Sequence, residues 1–452
     1  MSTVVETETE AVAPREKRGG RWIEHWEPED PAFWERTGKR VARKNLVFSI
    51  LAENLGFTVW SLMSIVVVSL GPVGFDFSVG QQFWLLIVPN LVGAVLRIPY
   101  TFAVPRFGGR AWTTISASLL LIPCTMLIVA VANPGTPYWF FLLTSAAMGF
   151  GGGNFSSSMA NISFFYPEGK KGLALGLNAA GGNLGVAMVQ LVVPMVITLG
   201  AGVNLAYAAA FWMPFVVVAA ACSWFLMDSL VQARPDGTSY KKALSNKHTW
   251  VMSFLYIGTF GSFIGFSFAF PSLIKLSFVD HRGFVALAFL GALIGSVSRP
   301  FGGWLSDRFG GARITLLTFL GLAVGTVGVL ISTEVGSFGL FFGSFIWLFV
   351  LAGVGNGSTY RMIPAIFATQ VEDLASAKRQ AAAVVGIAGA VGAFGGVLVN
   401  LVFKFSLEGS GTLAPALAAF LVFYALCVTT TWWFYLRRRV FVRVPSLAYA
   451  GV

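Results

Sequence analysis

The sequence predicts an all-α membrane protein: twelve transmembrane helices arranged as two six-helix halves. Three observations carry this. Of 452 residues, 56% are hydrophobic and only 11% charged, less than half the roughly 25% charged of a soluble domain. The apolar residues fall in long runs, many reaching the roughly 20 residues that an α-helix needs to cross a hydrocarbon core of about 30 Å. And the second half of the chain repeats features of the first in the same order.

The runs occupy residues 46–70, 82–104, 112–132, 138–165, 171–199, 204–229, 248–275, 283–305, 312–333, 338–368, 380–403 and 412–436. Runs this long are helices; strands of a membrane barrel would read as about 10 alternating residues. The polar stretch Asp228–Lys247 divides the spans six and six. The expected organisation is therefore a tail over 1–44, a first half over 45–229, a linker over 230–247, a second half over 248–436 and a second tail over 437–452.

Net charge is +11, which in a soluble chain would suggest nucleic acid. Here the basic residues collect in alternate loops: Arg106 and Arg110; Lys170 and Lys171; Arg234, Lys241, Lys242 and Lys247; Arg308 and Arg313; Lys378 and Arg379. The tail Arg437–Arg439 joins them, while loops 71–81, 133–137 and 200–203 carry no Lys or Arg. Lys275, Arg282 and Lys404 are milder exceptions. The pattern places both termini in the cytoplasm of an inner-membrane protein and excludes nucleic acid as partner. Residues 1–44 hold no apolar core before a cleavage site, so they read as a cytoplasmic tail and not as a signal peptide. Cys124, Cys222 and Cys427 lie in apolar runs, and His25, His248 and His281 are scattered. Neither set has metal-ligand or disulfide spacing, so no metal and no cofactor are expected.

The repeat is specific. Arg97 and Arg106 are nine residues apart and Phe107-Gly108-Gly109 follows; Arg299 and Arg308 are nine apart and Phe309-Gly310-Gly311 follows. Gly149, Gly151 and Gly153 in the fourth span match Gly353, Gly355 and Gly357 in the tenth. Gly176, Gly182 and Gly185 in the fifth match Gly386, Gly392 and Gly395 in the eleventh. A duplicated unit of this kind places a substrate site between the halves near the midplane.

Arg97 and Arg299 lie about two turns inside their helices. An arginine there costs roughly 3 kcal/mol on insertion scales, so it normally faces a cavity and a partner. No acidic residue lies within a turn of either, so a diffusible anion is one candidate. Guanidinium presents paired N–H donors in a plane, which suits a small flat oxyanion. The alternative is that both side chains snorkel to the headgroups; repetition at equivalent positions speaks against it. Arg106 and Arg308 are assigned to the loops, as structural residues.

Small residues at three- and four-residue spacing let helices approach closely. Packing alone accounts for most of these glycines; smooth faces that slide as the halves rock are the functional alternative. Asn178, a buried amide among glycines, needs a partner and is a candidate donor to an anion oxygen. Glu53 is the one clear carboxylate inside a span, and a carboxyl there is far cheaper to bury neutral than charged. Arg361, in the tenth span, reads as a third intramembrane base. Glu53 is the candidate for proton uptake, with Arg361 as the group coupled to it; a static ion pair, or a position near the helix mouth, is the alternative.

The repeated Arg-x8-Arg-Phe-Gly-Gly, with Gly302-Gly303-Trp-Leu-Ser-Asp307-Arg308-Phe-Gly-Gly311 as its second copy, resembles the loop signature of the major facilitator superfamily. The glycine-rich fifth and eleventh spans are similar to the paired signatures of the nitrate/nitrite porter (NarK-type) family. Phe150–Pro167 (FGGGNFSSSMANISFFYP), Tyr256–Ser267 (YIGTFGSFIGFS) and Trp26–Pro31 (WEPEDP) are similar to it as well. The resemblance covers nearly the whole chain. It implies that Arg97 and Arg299 bind substrate, that Phe155 and Phe260 sandwich the flat anion, that Tyr256 and Asn178 hydrogen-bond it, and that Tyr360 sits close by. Glu53 and Arg361 depart from the exchanger-type pattern, which favours proton-coupled nitrate uptake over plain nitrate/nitrite exchange.

The expected activity is transport of nitrate, nitrite or both by alternating access, in a monomer whose other partners are the lipid bilayer and protons. An anion channel would need no repeat-related pair of clamps, and a carrier of organic solutes would need a larger cavity. An enzyme would need a nucleophile with its base, or a cofactor motif, and the sequence has neither.

Overall fold

The computed structural model describes residues 21–200, 202–233, 237–370, 373–438, 446–448 and 452. Residues 1–20 of the tail, Arg234 and Arg439 lie outside the described residues. Among the described residues, twelve long helices run in succession. They are α1 (Pro31–Trp60, continued as Leu62–Ser69), α2 (Val79–Phe107), α3 (Gly109–Ala132), α4 (Tyr138–Phe165), α5 (Glu168–Val196), α6 (Ala206–Leu226), α7 (Lys247–Ser277), α8 (Val279–Phe309), α9 (Gly311–Val335), α10 (Phe338–Ala368), α11 (Leu374–Ser410) and α12 (Ala414–Leu436). Ten of them are long and apolar enough to cross a bilayer, and the two parts of α1 form an eleventh crossing bent by 41°. The twelfth, α4, falls short in hydropathy because its middle reads Gly-Phe-Gly-Gly-Gly-Asn-Phe-Ser-Ser-Ser-Met. Nearly all of that stretch is buried against other helices, so it has little contact with lipid.

Several boundaries differ from expectation. The first span is broken at Ser61, whose N–H and hydroxyl both bond the Phe57 carbonyl. The expected tail is structured where it is described. Residues 31–44 already belong to α1, and Trp22–Ile23 pairs in parallel with Ser229–Leu230 beyond α6. Trp26 and Trp34 bury their rings against Phe165, Leu230 and Ala233. The linker contains a helix, Gly237–Ser245. Arg106 and Arg308 sit in the last turns of α2 and α8 instead of in loops. Lys404, expected in a loop, is buried within α11, paired with Glu408 and lying 5.7 Å over Trp84.

Each of α2 and α8 stops at a glycine, Gly108 with φ +85° and Gly310 with φ +91°. That backbone is strained for any residue with a Cβ, which explains why the repeated motif ends Phe-Gly-Gly. The other repeated glycines set helix spacing within each half. A methyl on Gly182 would stand 2.6 Å from a Glu53 carboxylate oxygen of α1, and one on Gly395 would meet the Gly261 Cα of α7. Gly182 and Gly185 therefore seat α5 on α1 and Gly392 and Gly395 seat α11 on α7, while Gly389 and Gly396 of the same stretch face Phe155 and Asn90 of the other half. Gly176 has open space beside it and Gly386 meets only the Tyr240 hydroxyl.

The halves touch along α2 and α11 and along α5 and α8. Towards the end remote from the Phe-Gly-Gly turns they are latched by polar bonds. Lys275 donates to the Val68 carbonyl at 2.6 Å, and Gln190 donates to the Ser267 carbonyl at 2.7 Å.

Candidate functional site

Arg97 and Arg299 each stand ten residues before the end of their helix, α2 at Phe107 and α8 at Phe309. At 1.5 Å per residue that is about 15 Å, half of a hydrocarbon core of about 30 Å. Neither snorkels: Arg97 is 0% and Arg299 5% exposed. Both side chains turn into the seam between the halves.

Close helix approach positions Arg97. A Cβ on Gly152 of α4 would stand 2.9 Å from the Gly93 Cα of α2, so only glycine lets α2 and α4 run this near. The Arg97 Nε then donates to the Gly152 carbonyl at 3.2 Å. Its Nη1 crosses to the other half and donates to the Gly389 carbonyl of α11 at 2.6 Å. Its Nη2 has no partner among the described residues. The guanidinium carbon lies 4.6 Å from the Phe155 ring, 5.2 Å from Phe260 and 5.9 Å from Trp60. Such faces attract a cation by about 2 kcal/mol each when dry, which offsets part of the desolvation.

Arg299 is held by α7 and α10. Its Nη2 donates to the Tyr256 hydroxyl at 3.3 Å and its guanidinium lies 4.8 Å over the Tyr360 ring, while Nη1 has no partner of regular geometry among the described residues. Just after Tyr256, α7 makes one π-helical turn, Ile257–Gly261. Widened turns of this kind re-aim side chains at functional sites. Here the turn stacks Tyr256 on Phe260 at 5.2 Å and 4°, and Tyr256 meets Tyr360 at 4.7 Å. The Tyr360 hydroxyl makes no hydrogen bond of regular geometry.

The expected aromatic slot is not open. Two ring faces enclosing a flat ion need about 7 Å, twice the contact distance of roughly 3.5 Å. Phe155 and Phe260 are 6.2 Å apart and tilted by 29°, with the Arg97 guanidinium over both. The rings must part by about 1 Å to admit an anion.

Glu53 is buried in α1 at 1% exposure. Its Oε2 accepts from the Ser158 hydroxyl of α4 and, at 2.6 Å, from the Asn178 amide of α5; Oε1 has no partner among the described residues. Arg97 and Arg299 both act on it electrostatically, yet among the described residues it forms no ion pair. This corrects the expectation for Asn178: its amide nitrogen serves Glu53 and Ser158, and only its Oδ1 is free, an acceptor unsuited to an anion. The pairing of Glu53 with Arg361 is also corrected. Arg361 is 57% exposed and bonds Asp307, itself 52% exposed, beside the Phe-Gly-Gly turn of α8. Its helix turns it away from the seam.

The structure thus gathers Arg97, Arg299, Tyr256, Phe155, Phe260 and Tyr360 at one place. Glu53 and Asn178 form a second cluster within electrostatic reach, and Arg361 lies apart. Sequence reasoning missed the Gly152 and Gly389 carbonyls, Ser158 and Trp60. The carbonyls carry no side-chain signal. Ser158 lies in a run of three serines in a membrane span, which was a readable sign of buried polar bonding.

The family model for the Major Facilitator Superfamily matches residues 46–400. The nitrate/nitrite transporter NarU of Escherichia coli is 40% identical over 94% of this chain and 98% of its own length. The probable nitrate/nitrite antiporter NarK2 of Thermus thermophilus is 37% identical over 93% and 97%. Among solved structures, the D-xylose-proton symporter superposes with a TM-score of 0.69 at 16% identity, over 87% of this chain and 97% of that one; this speaks for the fold alone.

Proposed function

The chain belongs to the major facilitator superfamily and, within it, to the nitrate/nitrite transporters, and on that footing we propose that it moves nitrate and nitrite across the inner membrane by alternating access, with proton-coupled nitrate uptake as its main mode. One observation supports the substrate: two buried guanidiniums from opposite halves, each with a nitrogen that finds no acceptor of regular geometry among the described residues. A buried donor left unpaired costs about 1–3 kcal/mol, more when charged. A flat anion seated between them satisfies both at once and supplies the missing negative charge. Nitrate and nitrite fit because guanidinium recognises planar oxygens edge-on, and the surrounding rings exclude water. The basic end of the bundle faces the cytoplasm.

Alternating access follows from the charge. Empty, the seam holds two cations and resists rearrangement; loaded, it is nearer neutrality and the halves can rock about the anion. Glu53 adds the coupling. Its carboxylate competes with an external anion for the field of the two arginines, so protonating it favours anion binding, and anion binding favours its proton by the same factor. Nitrate and a proton then move together. Entry of the anion alone against an inside-negative potential costs roughly 2.3 kcal/mol per charge per 100 mV; the one proton that Glu53 supplies cancels that charge and leaves the pH gradient to drive uptake, and only a second proton would let the potential drive it too.

Nitrate/nitrite exchange is the second reading, favoured by the antiporter name carried by the Thermus thermophilus relative. Proteoliposomes separate the two. Uptake of nitrate into empty vesicles driven by external acid means symport; uptake only into vesicles preloaded with nitrite or nitrate means exchange.

A further inference from the structure

We propose that Asn356 is a further substrate-binding residue, whose amide hydrogen-bonds an oxygen that the arginines leave free and thereby favours three-oxygen nitrate over two-oxygen nitrite. This rests on the reading that Arg97 and Arg299 hold the anion.

Asn356 lies in the middle of α10, is 0% exposed, and neither its Nδ2 nor its Oδ1 has a hydrogen-bond partner among the described residues. Buried amides in folded proteins are nearly always paired, so an unpaired one needs an explanation. Two independent observations point it at the site. The first is helical position. Asn356 stands one turn before Tyr360, and residues four apart share a helix face; Tyr360 packs on Arg299 at 4.8 Å and on Tyr256 at 4.7 Å. The neighbours agree: a Cβ on Gly357 would stand 2.6 Å from the Gly303 nitrogen of α8, and Thr359 reaches Thr259 of α7. The face between those two directions, occupied by Asn356, looks between α7 and α8, the helices that carry Tyr256 and Arg299.

The second observation is the internal repeat. Gly149, Gly151 and Gly153 correspond to Gly353, Gly355 and Gly357, so Asn356 corresponds to Gly152. Gly152 faces the first-half arginine directly and takes its Nε at 3.2 Å. The second half keeps the position but replaces the glycine with an amide that Arg299 does not use. The site therefore pairs a backbone acceptor on one side with a side-chain donor on the other.

The consequence is selectivity. Two arginines engage two edges of an anion. Nitrate offers a third oxygen to the Asn356 amide; nitrite has none and leaves the amide buried and unpaired. Sites built to hydrogen-bond a substrate group discriminate strongly against analogues lacking it.

The test measures KM for nitrate and for nitrite in proteoliposomes of the full chain, for the wild type and for N356L, N356S and R299K. N356L should raise the nitrate KM roughly tenfold and the nitrite KM less than about threefold, collapsing the preference. N356S, smaller and still a donor, should fall between, and its retained nitrite transport shows that the variant is folded. Parallel changes for both anions, or no change for either, overturn the assignment of Asn356. R299K separates the two layers. If it leaves both KM values unchanged, the arginine clamp itself is wrong; if it weakens both while the Asn356 variants alter neither, only the present inference fails.

Discussion

Replacing Arg97 with lysine keeps the charge and removes the geometry. The guanidinium reaches three places at once: the Gly152 carbonyl at 3.2 Å, the Gly389 carbonyl across the seam at 2.6 Å, and the free direction of Nη2. Lysine has one nitrogen on a flexible stem. It can bond one of the two carbonyls or the anion, with no fork to do both. The loss at the substrate is at least one charge-assisted hydrogen bond, about 1.5–3 kcal/mol, or roughly 10- to 150-fold in affinity at 1.4 kcal/mol per tenfold. The unshielded Gly152 carbonyl adds to this. The assay is nitrate counterflow in proteoliposomes of R97K, with nitrate binding to detergent-purified protein by calorimetry alongside. A folded R97K that binds nitrate within about threefold of wild type would refute the reasoning, because it would show that positive charge alone suffices.

The E53Q variant should keep nitrate/nitrite exchange and lose uptake driven by an acid exterior; flux measured with and without a pH gradient checks this, and full acid-driven uptake would remove Glu53 from the mechanism. R361A breaks an exposed ion pair with Asp307, worth about 1 kcal/mol or less, so nitrate KM should stay within twofold. G395L forces a side chain against the Gly261 backbone of α7 where nothing flexible can yield, so the thermal midpoint of the purified protein should fall by several degrees.

The parts of the fold carried by local pattern were readable in advance. Spans 138–165 and 338–368 coincide with α4 and α10, and α4 was identified by length although its glycines and serines weaken its hydropathy. The two arginines were readable because cost and repetition coincide: a charge is expensive in lipid, and the same cost recurs at equivalent positions. What stayed hidden depends on rotation about helix axes. Arg361 looked intramembrane by its place in the run, but its partner Asp307 is 54 residues away and at the helix mouth. Asn178 was correctly read as a buried amide needing a partner, while the identity of that partner, Glu53 at 125 residues' separation, requires the packing of α5 on α1. The break at Ser61 and the docking of Trp22–Ile23 on Ser229–Leu230 are tertiary events with no periodic signal.

The most direct measurement is an experimental structure of the chain with nitrate bound. The account predicts one flat density between the free Nη2 of Arg97 and the free Nη1 of Arg299, with Phe155 and Phe260 moved apart to flank it. An anion held elsewhere, with Phe155 and Phe260 still in contact and both arginine nitrogens still without an acceptor, would contradict it.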